Sequence, residues 1–335
     1  AVANGFYNVE GVEVVILYPS GKVSSVQEKQ LTTLGNNIHA LEVNGNFDDC
    51  QQLVKQAFTD AELNQQLFLT SANSINVARW LPQQFYYFFA YKQWISSPLG
   101  DAGQPPVIAV PSGNFGNICA GILAHMSGLP VKHFIAACNA NDIVPSFMQS
   151  QQYEPKPAVA TISNAMDVGN PSNFVRILEL FHQQFPQLKE KFSSVSITDE
   201  ETKQTMKRVY DELQYTLDPH GAVGYLALER YLNNAGDSTL KGIFLETAHP
   251  VKFYDVVEPV LNQTIPLPDA VKEIIDLPKK STVMDVSFEA LKDYLLKAVA
   301  IWEKALKESN VSDKNARINA NMSEAVHSKL AIAYC

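Results

Sequence analysis

Apolar runs rich in valine and isoleucine alternate along this chain with stretches in which apolar residues recur every three or four positions. That alternation of periods predicts a mainly parallel sheet covered by helices, an α/β protein. Glu13–Tyr18 reads as the first strand, closed by Pro19-Ser20-Gly21. A helix from about Val26 follows, with Ser24 and Gln27 at capping-box spacing and Gly35 as its stop. Ile38–Val43 and Leu67–Thr70 are the next strands, with a helix at Asp48–Phe58 between them. Asn76–Trp94 is long, helical and aromatic-heavy; the cluster Tyr86-Tyr87-Phe88-Phe89 on it suits a core or a subunit interface rather than a cofactor box. Pro98–Pro106 reads as a surface connection. Strands are expected at Val107–Val110, Val131–Cys138 and Gly242–Leu245. Helices are expected at Ile118–Met126, Asn173–Phe185, Glu200–Leu213, Ala222–Tyr231 and Phe288–Leu306, and from Ser309 the polar residues are assigned to no element.

Composition narrows this picture. With 335 residues, 46% of them hydrophobic, the chain has core material for about two domains. The net charge of −9 and scattered basic residues argue against a nucleic-acid partner. No charge run, leader or membrane-length apolar stretch stands out, so a cytoplasmic location is expected. The opening Ala1-Val2-Ala3-Asn4-Gly5-Phe6, without Met or cap, reads as a processed or truncated start. Cys50, Cys119, Cys138 and Cys335 are widely separated and form no CxxC pair; Cys119 and Cys138 sit in apolar runs, where buried free thiols are the expectation. His39, His125, His133, His182 and His327 lack metal-ligand spacing, so no metal is expected.

Chemistry concentrates at three strand ends. Ser112-Gly113-Asn114-Phe115-Gly116-Asn117 lies between a strand and a helix. Glycines there let the backbone turn sharply, and the helix start offers N–H groups and a positive dipole end to an anion such as phosphate. The Asn side chains could add donors. The loop is neither a Walker loop nor a GxGxxG fingerprint, and as a strand-to-helix turn it also has an ordinary reading. A second junction is Thr70-Ser71-Ala72-Asn73-Ser74-Ile75-Asn76-Val77-Ala78-Arg79. Ser74 or Asn76 can cap the following helix, but Arg79 in a first turn opposes the dipole, and an anionic ligand would account for it. A third is Leu245-Glu246-Thr247-Ala248-His249-Pro250, where Thr247 can offer a hydroxyl. His220, in Asp218-Pro219-His220-Gly221, is a possible catalytic residue or a histidine tying down a helix entry.

These segments, in this order, resemble the threonine synthases, within the tryptophan-synthase-β-like fold (fold type II) of pyridoxal-phosphate (PLP) enzymes, over nearly the whole chain. The resemblance implies two α/β domains with mainly parallel sheets and the active site between them. Residues 1–75 would be the remainder of the smaller domain, 76–308 the larger PLP-phosphate-binding domain and 309–335 a C-terminal tail. Gly113, Asn114, Phe115, Gly116 and Asn117 would hold the PLP phosphate and Thr247 the pyridine nitrogen. Ser74, Asn76 and Arg79 would hold the phosphate of O-phospho-L-homoserine, which such an enzyme converts with water to L-threonine and phosphate by β,γ-replacement, as a monomer or homodimer. Val77 stands where related chains often have proline. The cofactor lysine of the family, in a Phe-Lys-Asp setting, and its substrate-carboxylate loop are expected upstream of Ala1, so this chain is expected to lack them. A threonine or serine dehydratase of the same fold, a lysine-free ligand-binding relative and a nucleotide-binding Rossmann protein are the alternatives.

Overall fold

A computed structural model describes residues 2–98, 100, 103–298 and 329–334. The chain divides into two compact units, Ala1–Asn73 with Pro268–Cys335, and Ser74–Leu267.

The first unit holds a five-stranded sheet in the order β3-β9-β1-β2-β8, formed by β1 (Val12–Pro19), β2 (Ile38–Asn44), β3 (Phe68–Ser71), β8 (Thr282–Asp285) and β9 (Lys329–Tyr334). Every pair in it is parallel. Val15, Leu17, Leu41 and Val43 point to one face and pack on Cys50, Leu53, Val54 and Ala57 of the helix Phe47–Thr59. Ser24 and Gln27 form the expected capping box, and Gly35 takes left-handed backbone at φ 71°.

The second unit holds four parallel strands in the order β6-β5-β4-β7, namely β4 (Val107–Pro111), β5 (His133–Cys138), β6 (Phe192–Ser196) and β7 (Gly242–Phe244). Both faces are buried, as a covered parallel sheet requires. Ile108, Val110, Phe134 and Ala136 pack on the helix Gly116–Met126, while Val107, Ala109, Ile135 and Ala137 pack against Val223 and Ala227 of the helix Pro219–Asn234. Cys119 and Cys138 are buried free thiols here, and burial pushes the Cys138 thiol up to about 12. Cys335 and residues 309–328 lie outside the described residues.

The unit boundaries differ from those expected at 75/76 and 308/309. Residues 268–298 belong to the first unit because β8 pairs with β2, and 329–334 add β9 to the same sheet. The exposed, partly polar β8 gives no apolar run to betray it. The helix expected at Asn173–Phe185 is broken: Phe174–Leu180 ends before His182 and Gln183, both left-handed, and Phe185–Lys191 follows. In the aromatic cluster Tyr87 is core, whereas Tyr86, Phe88 and Phe89 are exposed. No helix among the described residues is long and apolar enough to cross a membrane.

Candidate active site

At the carboxyl end of β4 the chain leaves the sheet through Ser112, whose N–H donates to the Ala137 carbonyl at 2.8 Å and whose Oγ donates to the Val110 carbonyl at 2.8 Å. Phe115 then adopts left-handed backbone at φ 63° directly before the helix Gly116–Met126. A bulky residue tolerates that conformation only where its surroundings enforce it; its buried ring sits edge-on to Phe174 at 5.8 Å. The helix has no side-chain cap, so its first-turn N–H groups lack intrahelical partners and present an anion site. Both glycines are set by close approach. A Cβ on Gly113 would stand 2.6 Å from Met166 Cα, and one on Gly116 would stand 2.5 Å from Ser74 Cβ.

Ser74, where the second unit begins, therefore sits against the first loop. Asn114 Nδ2 donates to Ser74 Oγ at 3.0 Å, and Asn173 Nδ2 does the same at 3.0 Å. Asn76 accepts from the Ala78 N–H at 3.1 Å and caps the short turn Val77–Arg79, so the capping reading of Asn76 holds. Arg79 closes that turn ahead of the helix Trp80–Ser96, partly exposed and in no ion pair among the described residues.

The asparagine side chains of the 112–117 loop are tied into the fold. Asn114 is spent on Ser74 and Ser172, and the Asn117 carbonyl and Oδ1 each accept from the Tyr87 hydroxyl at 2.9 Å. The uncapped helix start adds backbone N–H groups that an anion can use. Thr247 lies exposed just beyond β7, the strand next to β4. His220 is buried; its Nδ1 lies 2.7 Å from Asp218 Oδ1 and its Nε2 accepts from the Ala165 N–H at 3.2 Å. Both ring nitrogens are engaged within the protein, and the histidine fastens the 163–167 turn, whose Met166 backbone abuts Gly113, to the start of the helix Pro219–Asn234.

Beside this pair lies Glu246. Burial, and then the hydrogen bond and charge of Asp218, push its carboxyl up to about 8. Burial also works to raise Asp218, but the hydrogen bond and charge of His220 outweigh it and hold that carboxyl below the usual range. The pair thus keeps one proton, on Glu246. A carboxyl whose pKa is raised on folding contributes stability below the usual value of 4.5, and that contribution is lost as pH rises towards about 8. Melting curves of Glu246→Gln are therefore expected to lose much of the fall in Tm between roughly pH 5 and pH 9, a difference on the order of 1–2 kcal/mol after solvent screening. Parallel Tm profiles for the two proteins would contradict the assignment.

Comparison with known proteins places this geometry. Residues 8–242 match the family model of pyridoxal-phosphate dependent enzymes, and residues 221–295 match that of the threonine synthase C-terminal region. A threonine synthase of Serratia marcescens is 50% identical over 296 residues, which is 88% of this chain and 67% of that protein. The chain belongs to the threonine synthases. The crystal structure of the Escherichia coli threonine synthase superposes with a TM-score of 0.82 at 48% identity, over 89% of this chain and 67% of that one. The PLP-bound threonine synthase of Brucella melitensis gives 0.77 at 33% identity, over 88% and 67%. The chain thus spans about two thirds of the length of these relatives, and its fold is the type II fold of PLP enzymes.

The residues present fit the phosphate of that cofactor: an uncapped helix start, glycines that admit close backbone approach, and a serine hydroxyl on the flank. Three residues that build this wall escaped the sequence reading, namely Ser172, Asn173 and Arg176. A usable signal existed for the last. Arg176 lies in the first turn of the helix Phe174–Leu180, the same opposition to the dipole that singles out Arg79.

Proposed function

We propose that this chain carries the cofactor-phosphate and substrate-phosphate sites of a threonine synthase that converts O-phospho-L-homoserine and water to L-threonine and phosphate. The observation that carries this reading is the direct packing of Ser74 on Gly116, with Asn114 hydrogen-bonded to the Ser74 hydroxyl. It makes two anion-binding junctions into one wall at the end of a parallel sheet, where open α/β sheets bind ligands. A substrate that carries its own phosphate, used alongside a phosphorylated cofactor, calls for such a pair.

In this reading the amides of residues 113–117 hold the cofactor phosphate, and Thr247 donates its hydroxyl to the pyridine nitrogen. A neutral hydroxyl leaves that nitrogen less protonated than a carboxylate would. Pyridoxal phosphate, when bound, supplies an electron sink for negative charge developed on the substrate. Arg79 and Ser74, with Asn76, bind the substrate phosphate; charge grows on that group as it departs, so the same contacts strengthen when they matter. The site serves an intracellular enzyme of threonine biosynthesis in the cytoplasm, acting as a monomer or homodimer.

The cofactor lysine is none of this chain's lysines. Borohydride reduction in the presence of PLP, followed by peptide mapping, is expected to leave them all unmodified; a PLP-labelled lysine peptide from this chain would overturn that point. The function itself is tested by supplying O-phosphohomoserine and, separately, threonine to the enzyme that contains this chain together with the cofactor lysine. Phosphate release with threonine formation is expected from the first, and deamination of the second as the dominant activity would refute the reading.

A further inference from the structure

A serine hydroxyl carries one proton and two acceptor positions. At Ser74 both acceptor positions are filled, by Asn114 Nδ2 at 3.0 Å and Asn173 Nδ2 at 3.0 Å. An amide contact of this kind is persuasive only if the amide cannot be turned round, since its oxygen and nitrogen are nearly isosteric. Here each amide is fixed by a neighbour that can only donate. Asn173 Oδ1 accepts from Arg176 Nη1 at 3.0 Å, and a guanidinium has no acceptor. Asn114 Oδ1 accepts from the Ser172 backbone N–H at 2.7 Å, with the Ser172 hydroxyl adding a second bond at 3.0 Å. Flipping either amide would set donor against donor.

Arg176 is in turn held in place. Its Nη2 donates to the Ile75 carbonyl at 2.6 Å, its Nη1 reaches the Ser74 carbonyl at 3.4 Å, and its guanidinium lies 5.2 Å from the Trp80 ring centroid. Trp80 Nε1 donates to the same Ser74 carbonyl at 3.1 Å. Asn173, fully buried, also donates to the Asn114 carbonyl at 2.8 Å, so one amide braces both junctions. The Ser74 proton has no acceptor among the described residues.

We infer that Asn173, oriented by Arg176, is a positioning residue that makes Ser74 an obligate hydrogen-bond donor towards a phosphoryl oxygen. The inference rests on the proposed role of Ser74 in holding phosphate. Ionised phosphoryl oxygens only accept, so a hydroxyl whose lone pairs are already occupied suits them and disfavours ligands that would donate to it. The phosphoryl group is the substrate's or the cofactor's, and the chemistry at Ser74 is the same for both.

The test is a double-mutant cycle in the PLP-loaded enzyme, using Ser74→Ala, Asn173→Asp and the pair. The Asp keeps the shape and the bond from Arg176 but turns a donor into an acceptor, so it captures the Ser74 proton. KM and kcat for O-phosphohomoserine, the dissociation constants of inorganic phosphate and of PLP by calorimetry, and Tm are measured for each. Ser74→Ala and Asn173→Asp are each expected to weaken phosphoryl binding about tenfold or more, the usual scale of a hydrogen bond to a charged group, with kcat moved less. In the Ser74→Ala background, Asn173→Asp is expected to cost less than a third of what it costs alone. A weaker KM and phosphate affinity with unchanged PLP binding assigns the proton to the substrate's phosphate, and the reverse assigns it to the cofactor's; either supports the inference. Equal Asn173→Asp effects with and without the Ser74 hydroxyl overturn it while leaving Ser74 as a ligand. No effect of Ser74→Ala on any phosphoryl ligand overturns the underlying reading as well. Should Asn173→Asp fail to fold, Asn114→Asp makes the same inversion from the other side, and independence from Ser74 there overturns the inference.

Discussion

Replacing Gly116 by alanine is expected to lower kcat/KM for O-phosphohomoserine about 100-fold, the cost of misplacing a binding group by about 1 Å. The added methyl would stand 2.5 Å from Ser74 Cβ and 3.1 Å from Ser74 Oγ. Ser74 cannot swing away cheaply, because two amides grip its hydroxyl and Arg176 grips its carbonyl. The strain therefore separates the two phosphate junctions. Stability should suffer much less. Overpacking costs about 1–3 kcal/mol, and part of that is offset by the roughly 1 kcal/mol by which alanine exceeds glycine in a helix. A protein that melts within a few degrees of wild type yet turns over poorly is the signature. Wild-type kinetics in that variant would show that Ser74 and the phosphate loop do not act together.

The reading from sequence went furthest where chemistry is local. The order of strands and helices, the capping box at Ser24, and the glycines of the 112–117 loop all follow from neighbours within a few residues, so period and turn chemistry expose them. Asn173 and Arg176 act across 99 and 102 positions on Ser74, and nothing in a run of residues 170–176 announces a partner near residue 74. The same holds for Asp218 and Glu246, which meet only because β7 ends beside the entry of the helix Pro219–Asn234. Polar edges fail for another reason. β6 and β8 are short and half-polar, and they exist because a parallel neighbour supplies their hydrogen bonds, not because their own pattern demands a strand. Asn114 shows the limit at a single residue: its place in the 112–117 loop was legible, but only the fold reveals that its side chain hydrogen-bonds Ser74 and Ser172.

Arg79→Ala is expected to reduce kcat/KM for O-phosphohomoserine by roughly 100-fold, from the loss of about 3 kcal/mol in a charged hydrogen-bonded contact. The structural grounds are its position and its lack of employment. Arg79 ends the turn Val77–Arg79, next to the helix start at Trp80, where the dipole works against a cation. It forms no ion pair among the described residues, whereas Arg176, on the other side of Ser74 in the hydrogen-bond network, is committed to two carbonyls and an amide. A guanidinium in no ion pair among the described residues, in the turn that follows Ser74, is available to an anion. PLP affinity should change less than threefold, since the cofactor loop begins a separate helix, and Tm should change little because no ion pair of Arg79 among the described residues is lost. Arg79→Lys should recover only a small part of the activity, as an ammonium cannot grip two phosphate oxygens in one plane. If Arg79→Ala retained wild-type kcat/KM, the unpaired guanidinium would be an ordinary surface charge and the substrate-phosphate site would have to lie elsewhere.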